Sequence, residues 1–263
     1  MTRILWINPM GTAEFDEPIS RELRSESAAF IDVASFERGP KHLDYNAFEM
    51  LVAPTLLSTI RWAEQEGYDA AVVGCFYDPA LRAAREIVDD LVITAPAEAS
   101  LHLAATLGEK ISILVGTEKN IPEMHENVVK YGFLNRLASF RPVGIAVNDY
   151  QRDPSYTEGR LMEEAQRAIE EDGADVIVLG CTAQFGFYRR AQERLGIPVI
   201  DSAVAALLYA EYLTSLRNGQ GWRTTKRVGY KGPDLSEMNA TIPVTAPVVL
   251  LDPRKNAKTN ACS

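Results

Sequence analysis

The sequence predicts an α/β fold of parallel strands arranged in two related halves, and three observations carry the prediction. The first is a nine-residue stretch present twice, Gly67-Tyr68-Asp69-Ala70-Ala71-Val72-Val73-Gly74-Cys75 and Gly173-Ala174-Asp175-Val176-Ile177-Val178-Leu179-Gly180-Cys181. Both glycines, the aspartate, the valine three residues before the cysteine and the cysteine itself are identical. The second is its setting. In each copy a charged helical run (60–66; 161–172) stops at a glycine suited to the left-handed position after a helix. An apolar run too short for another helix then leads into Gly-Cys and a new amphipathic segment. The third is a near-constant offset: 181 − 75 = 106 for the cysteines, 111 − 4 = 107 for the strands beginning at Ile4 and Ile111, and 200 − 93 = 107 for Val92-Ile93 and Val199-Ile200. Such an offset is the trace of an internal duplication.

In order, Arg3–Ile7 reads as a strand running into the turn Asn8-Pro9-Met10-Gly11, where Asn8 is either a ligand contact or a turn residue bonded to its own backbone. A helix over 17–30, a strand over 31–35 and a loop carrying a solvent-exposed His42 follow, and Pro54 opens the next helix. Beyond Cys75, Asp78 before Pro79 has the form of a cap on a helix over 80–88, with direct chemistry as the alternative. A strand over 91–94 enters a helix that Glu98 begins. Glu98 supports the site from behind or simply suits the helix dipole, and His102 on that helix is expected to pack in the core.

The second half repeats the plan. It has a strand over 111–115 with Gly116-Thr117 in the turn, a helix over 121–131 with a solvated His125, a strand over 139–147, and capping-box spacing at Ser155-Tyr156-Thr157-Glu158. Neither Asp153 nor Asp175 is spaced for chemistry. After Cys181 come a basic helix, the strand 199–201 and a last helix over about 203–216. Thr241–Leu251 is apolar but holds Pro243 and Pro247, which predicts an extended arm on the body or on a neighbouring subunit. The final twelve residues, with Cys262, have the composition of a disordered end.

Composition limits the function. A net charge of −9 with no Lys/Arg cluster argues against nucleic acid or an anionic membrane and leaves a small molecule as the partner. Four apolar residues before Asn8-Pro9 are too few for a signal-peptide core, and no run approaches a membrane span, so a cytoplasmic protein with reduced thiols is expected. Metal ligation is disfavoured because no His or second Cys stands at ligand spacing around Cys75 or Cys181, and no Cys-x-x-Cys supports redox exchange. What remains is a thiolate and a thiol at equivalent strand ends, where ligands bind in open α/β sheets. Each is expected to be activated by the helix start behind it. Such a pair removes a proton from one face of a carbon acid and returns one to the other, inverting the centre without a cofactor.

Gly74-Cys75-Phe76-Tyr77-Asp78-Pro79-Ala80-Leu81, Ala97-Glu98-Ala99, Val178-Leu179-Gly180-Cys181, Ile197-Pro198-Val199-Ile200-Asp201 and Thr224-Thr225-Lys226-Arg227 resemble the hydantoin and allantoin racemase branch of the aspartate/glutamate racemase superfamily, from about residue 3 to about residue 232. The resemblance implies two flavodoxin-like parallel-sheet lobes related by a pseudo-twofold axis with the active site between them. The first lobe takes residues 1–95 and about 206–232 and the second 96–205, leaving 233–263 as an extended or disordered tail. It also implies Cys75 and Cys181 as the catalytic pair, Asn8, Phe76, Thr117 and Thr182 as substrate contacts, Asp78 and Glu98 as supporting residues, and neither metal nor cofactor. A homo-oligomer is expected. The sequence departs from the usual pattern at Met10, at Tyr77 where a glycine is common, at Gly116-Thr117 where Thr-Thr is common, and at the aromatic Gln184-Phe185-Gly186-Phe187.

The activity this points to is racemisation or epimerisation of a carbon acid beside a carbonyl, with a 5-substituted hydantoin or related cyclic ureide as substrate. One alternative is a maleate-isomerase type of chemistry, in which a cysteine adds covalently to an alkene. The other is a non-enzymatic small-molecule binding protein.

Overall fold

The structure, a computed structural model, describes residues 1–251. Cys262 and the expected disordered end lie outside the described residues.

Among the described residues nine strands form two sheets. The first contains β1 (Arg3–Asn8), β2 (Phe30–Phe36), β3 (Ala70–Val73), β4 (Val92–Thr94) and β9 (Val248–Leu250), in the order β4-β3-β1-β2-β9. The second contains β5 (Ile111–Val115), β6 (Leu137–Pro142), β7 (Val176–Leu179) and β8 (Val199–Asp201), in the order β6-β5-β7-β8. Read from the other edge, the second sheet runs β8-β7-β5-β6, the same order as β4-β3-β1-β2. All pairings are parallel except β2 with β9. Strands β3 and β7 are buried throughout, as expected for parallel strands covered on both faces. The fold is thus α/β with two parallel-sheet regions.

The helices are α1 (Asp16–Glu26), α2 (Asn46–Gln65), α3 (Leu81–Glu86), α4 (Pro96–Leu107), α5 (Ile121–Lys130), α6 (Pro154–Asp172), α7 (Tyr188–Leu195), α8 (Ser202–Gln220) and α9 (Leu235–Thr241). Helix α4 follows β4 of the first sheet yet packs on β7 and β8 of the second, and α8 follows β8 yet packs on β3 and β4. The two helices also pack on each other. Alanine makes this close approach possible: Ala97, Ala99 and Ala104 on α4 and Ala203, Ala205, Ala206 and Ala210 on α8 are all buried. Thr94 Oγ1 donates to the Ala206 carbonyl at 3.1 Å, tying β4 to the helix of the other half.

Several local expectations are corrected. Pro54 does not open α2, which starts eight residues earlier at Asn46; the proline is itself exposed on the helix. Asp78 does not cap α3. That helix begins only at Leu81 behind Ala80, and both Asp78 (φ 51°) and Ala80 (φ 52°) are left-handed. The capping box at Ser155 is unused, because Asp153 caps α6 by accepting from the Tyr156 N–H at 3.0 Å. Strand β6 stops at Pro142 rather than Val147, and Gly144 (φ 75°) turns the chain there. Residues 235–241 are helical, and the arm beyond them ends as β9 on the edge of the body. His102 is exposed, against the edge of Phe133 and stacked on Tyr209, whereas His42 is half-buried beside Asp44, Tyr45 and Phe48.

Candidate active site

Each identical position of the repeated stretch has a structural cause. Gly67 (φ 74°) and Gly173 (φ 69°) are left-handed helix ends. Asp69 accepts from the Arg3 N–H at 2.9 Å, and Asp175 from Glu109 and Lys110 at 3.0 and 2.8 Å, so each carboxylate fixes the entry of the neighbouring strand. Val72 and Val178 are fully buried. Gly74 and Gly180 are sites of close approach: a Cβ at 74 would stand 2.6 Å from Trp6 Nε1, and one at 180 would stand 2.8 Å from the Leu114 carbonyl. Their N–H groups donate to Ile7 and Leu114, each at 2.8 Å. These glycines let the chain hug the neighbouring strand and leave it at a matched height, and each cysteine is the next residue.

Cys75 and Cys181 line one pocket between the two sheets. Thr182 Oγ1 donates to the Gly74 carbonyl at 3.1 Å, so the residue after one cysteine is bonded to the residue before the other. Of the residues expected at the site, Asn8, Phe76 and Thr182 line the same pocket. Asn8 is held from behind: its Oδ1 accepts from Trp6 Nε1 at 2.7 Å, and its Nδ2 donates to the buried Asp16 at 2.6 Å. Thr117 is not in the lining; its hydroxyl donates to Asn120 Oδ1 at 3.0 Å, and it is Asn120 and Gly116 that face the cavity. Asp78 is a cap, but of α4: it accepts from the N–H groups of Ala97 and Glu98 at 2.9 and 2.8 Å and from the Tyr131 hydroxyl at 2.8 Å. Glu98 pairs with Arg85 beside a second, outer cavity and does not reach the thiols.

The electrostatics correct another expectation. Neither cysteine lies at the start of an α-helix: α3 begins six residues after Cys75, and only a three-residue 3-10 turn follows Cys181. Burial dominates instead. It pushes the Cys75 thiol well up and Cys181 up to about 12, opposed by hydrogen bonds to sulfur from the N–H of Tyr77 and of Ala183 respectively. The residue two beyond each cysteine therefore supplies a matched backbone donor, while desolvation favours the thiol form of both groups. Burial likewise raises Asp78 and Asp201 to about 7 against the backbone donors they accept from.

Sequence reasoning did not bring Asp44, Asn120 and Tyr150 to the pocket, where they lie. Tyr77 and Phe185, where the sequence departs from the usual family pattern, line it as well. No Lys, Arg or His lines the cavity among the described residues, and Asp44 is its carboxylate. Among the described residues no group of three or more His, Cys, Asp or Glu side chains is placed to hold a metal ion, and no helix is long and apolar enough to cross a membrane.

Residues 4–210 match the Asp/Glu/Hydantoin racemase family. The chain is 34% identical over 237 residues to a hydantoin racemase of Pseudomonas sp. (strain NS671), spanning 89% of this chain and 93% of that one. It is 34% identical over 234 residues to the hydantoin racemase of Paenarthrobacter aurescens, spanning 88% and 97%. Among solved structures, allantoin racemase from Klebsiella pneumoniae superposes with a TM-score of 0.83 at 26% identity, covering 92% of this chain and 100% of that one. Arylmalonate decarboxylase, at 20% identity and a TM-score of 0.57, shares the fold. With the family match extending from β1 into α8 and two such relatives aligned over nearly their full length, this chain belongs to the Asp/Glu/hydantoin racemase family.

Proposed function

We propose that this racemase inverts a carbon acid beside a carbonyl by two-thiol proton transfer without a cofactor, and that its substrate is a neutral cyclic ureide, a 5-substituted hydantoin. The carrying observation is a pocket that holds both thiols, one carboxylate and no cationic side chain. Desolvating an anionic substrate there would leave its charge unpaired next to Asp44, a cost that a neutral ring avoids. The same argument disfavours a free amino acid, whose carboxylate needs a partner, and the dianion required by maleate-type isomerisation. Met10, Phe15, Ile19, Leu43 and Phe185 make much of the wall apolar, which suits an alkyl or aryl substituent.

In the reaction one cysteine, as thiolate, takes the proton from the substrate carbon: a C–H bond breaks, an S–H bond forms, and the electron pair moves into the adjacent carbonyl. The opposite cysteine then gives its proton to the other face, forming the new C–H bond and leaving that sulfur as thiolate. Proton and electrons balance, and the enzyme emerges with the roles of its thiols exchanged. Racemisation of a panel of chiral hydantoins and amino acids, followed by polarimetry, tests the substrate class. Cys75→Ala and Cys181→Ala should each abolish inversion, while in deuterated water each variant exchanges the proton of one enantiomer with retention, the two preferring opposite hands. Near-full racemase activity in either variant would refute the thiol pair.

A further inference from the structure

Resting on that reading, we propose that the phenolic hydroxyl of Tyr77 donates a hydrogen bond to the carbonyl oxygen beside the reacting carbon, and so carries the charge that the lost proton leaves behind. Tyr77 lines the pocket shared by Cys75 and Cys181. Its oxygen lies 2.6 Å from Asn120 Nδ2. The orientation of that amide is fixed independently, because Asn120 Oδ1 accepts from the Thr117 N–H at 2.8 Å and from Thr117 Oγ1 at 3.0 Å. The NH2 end must therefore face Tyr77, which makes the phenol oxygen an acceptor there. Its own proton has no acceptor among the described residues, in a cavity where a buried donor needs one.

The ring is also held in place. The Tyr77 carbonyl accepts from Asn127 Nδ2 at 2.8 Å, and its N–H faces the Cys75 sulfur. Two asparagines from the end of β5 onward, Asn120 and Asn127, thus grip a residue of the first half at both ends. Gly116 leaves room for this arrangement, since a Cβ there would stand 3.1 Å from Asn120 Oδ1 and 2.9 Å from the Ile145 carbonyl. Burial pushes the pKa of the phenol well above its ordinary value, so it remains a donor through the working pH range. Breaking the C–H bond puts negative charge on the neighbouring carbonyl oxygen. With no cation in the lining, that charge must be met by oriented donors, which are most effective when fixed before the reaction.

The test compares wild type, Tyr77→Phe and Asn120→Asp on a 5-substituted hydantoin and on its 4-thioxo analogue, whose sulfur accepts hydrogen bonds weakly. Tyr77→Phe keeps the ring and deletes the donor. Asn120→Asp keeps the phenol but offers it a carboxylate oxygen, drawing its proton away from the cavity. Both should lower kcat on the oxo substrate by about 10²-fold with KM changed less than about threefold. On the thioxo substrate each should act less than about threefold, and the double variant should be no worse than either single one. Unchanged kcat in Tyr77→Phe, or equal losses on both substrates as expected if the phenol served the Cys75 sulfur instead, would overturn the proposal while leaving racemisation by wild type intact. Wild-type protein that racemises no hydantoin would overturn the functional reading and this proposal together.

Discussion

On the proposed two-thiol mechanism, raising the pH should accelerate this enzyme steeply, because burial in the pocket favours the protonated thiols. The kcat/KM value reports ionisation of the free enzyme. With Cys181 pushed up to about 12, its thiolate fraction is about 10⁻⁵ at pH 7 and about 10⁻³ at pH 9. At pH 8 the gap of about four units corresponds to about 5 kcal/mol that each turnover must recover before the proton moves. For the enantiomer whose proton Cys181 removes, kcat/KM should therefore rise about tenfold per pH unit, about 100-fold from pH 7 to 9. The other enantiomer should follow the same slope, since burial also pushes Cys75 well up. The descending limb, where the acid partner loses its proton, is displaced far into the alkaline range. Initial rates on a hydantoin methylated at the imide nitrogen, so that the substrate does not titrate, would check this by polarimetry after subtraction of an enzyme-free blank. A profile flat between pH 7 and 9 would mean that the matched N–H donors of Tyr77 and Ala183 outweigh burial, and the argument from desolvation would be wrong.

The same thiols give stability a sign in alkali. Cys181 has a folded value of about 12 against about 9 for the free thiol, so its contribution is complete below pH 9 and is lost as pH rises toward 12. Urea titrations from pH 8.5 to 10 should show wild type losing up to about 1.4 kcal/mol per pH unit more than Cys181→Ala; parallel slopes would refute this. Asp78→Ala removes the acceptor for two N–H groups and one half-buried hydroxyl and should cost about 3–5 kcal/mol in a urea midpoint experiment. A loss under about 1 kcal/mol would show that water replaces the carboxylate.

The fold was legible where local pattern and global architecture agree. The repeated stretch identified β3 and β7, and the constant offset anticipated the matching strand orders of the two sheets. Both catalytic candidates were visible because close approach at Gly74 and Gly180 leaves a sequence mark. Legibility failed where a side chain serves a distant partner. Asp78-Pro79 has the form of a local cap, but the carboxylate reaches the N-terminus of α4, nineteen residues on, and the chain accepts two left-handed residues to let it do so. Such backbone strain costs on the order of 1–3 kcal/mol per residue and concentrates at functional sites. Among the described residues these are the two non-glycine positions of positive φ, and both fall within five residues of Cys75. Asn120 escaped notice for the same reason: its amide meets Tyr77 across 43 positions of sequence. Thiol acidity was misjudged because helix starts were placed directly behind the cysteines, whereas the chain makes a turn first.

The duplication does not make the two thiols equivalent, and the difference bears on how substrate is held. Thr182, which bonds to the Gly74 carbonyl, stands where Phe76 stands in the first half, and Ala183 stands where Tyr77 stands. Each cysteine keeps its backbone donor, which needs no particular side chain, but that donor residue carries a phenol only at Tyr77; the other phenol of the pocket, Tyr150, comes from a different element and accepts from Gln184 Nε2 at 2.8 Å. A two-base reaction requires symmetry only about the reacting carbon, which must be reached from both faces. The carbonyl beside it carries charge in both directions of the reaction and needs a fixed donor on one side. Binding energy directed at that oxygen lowers the barrier for both enantiomers equally, as a racemase with an equilibrium constant of one requires.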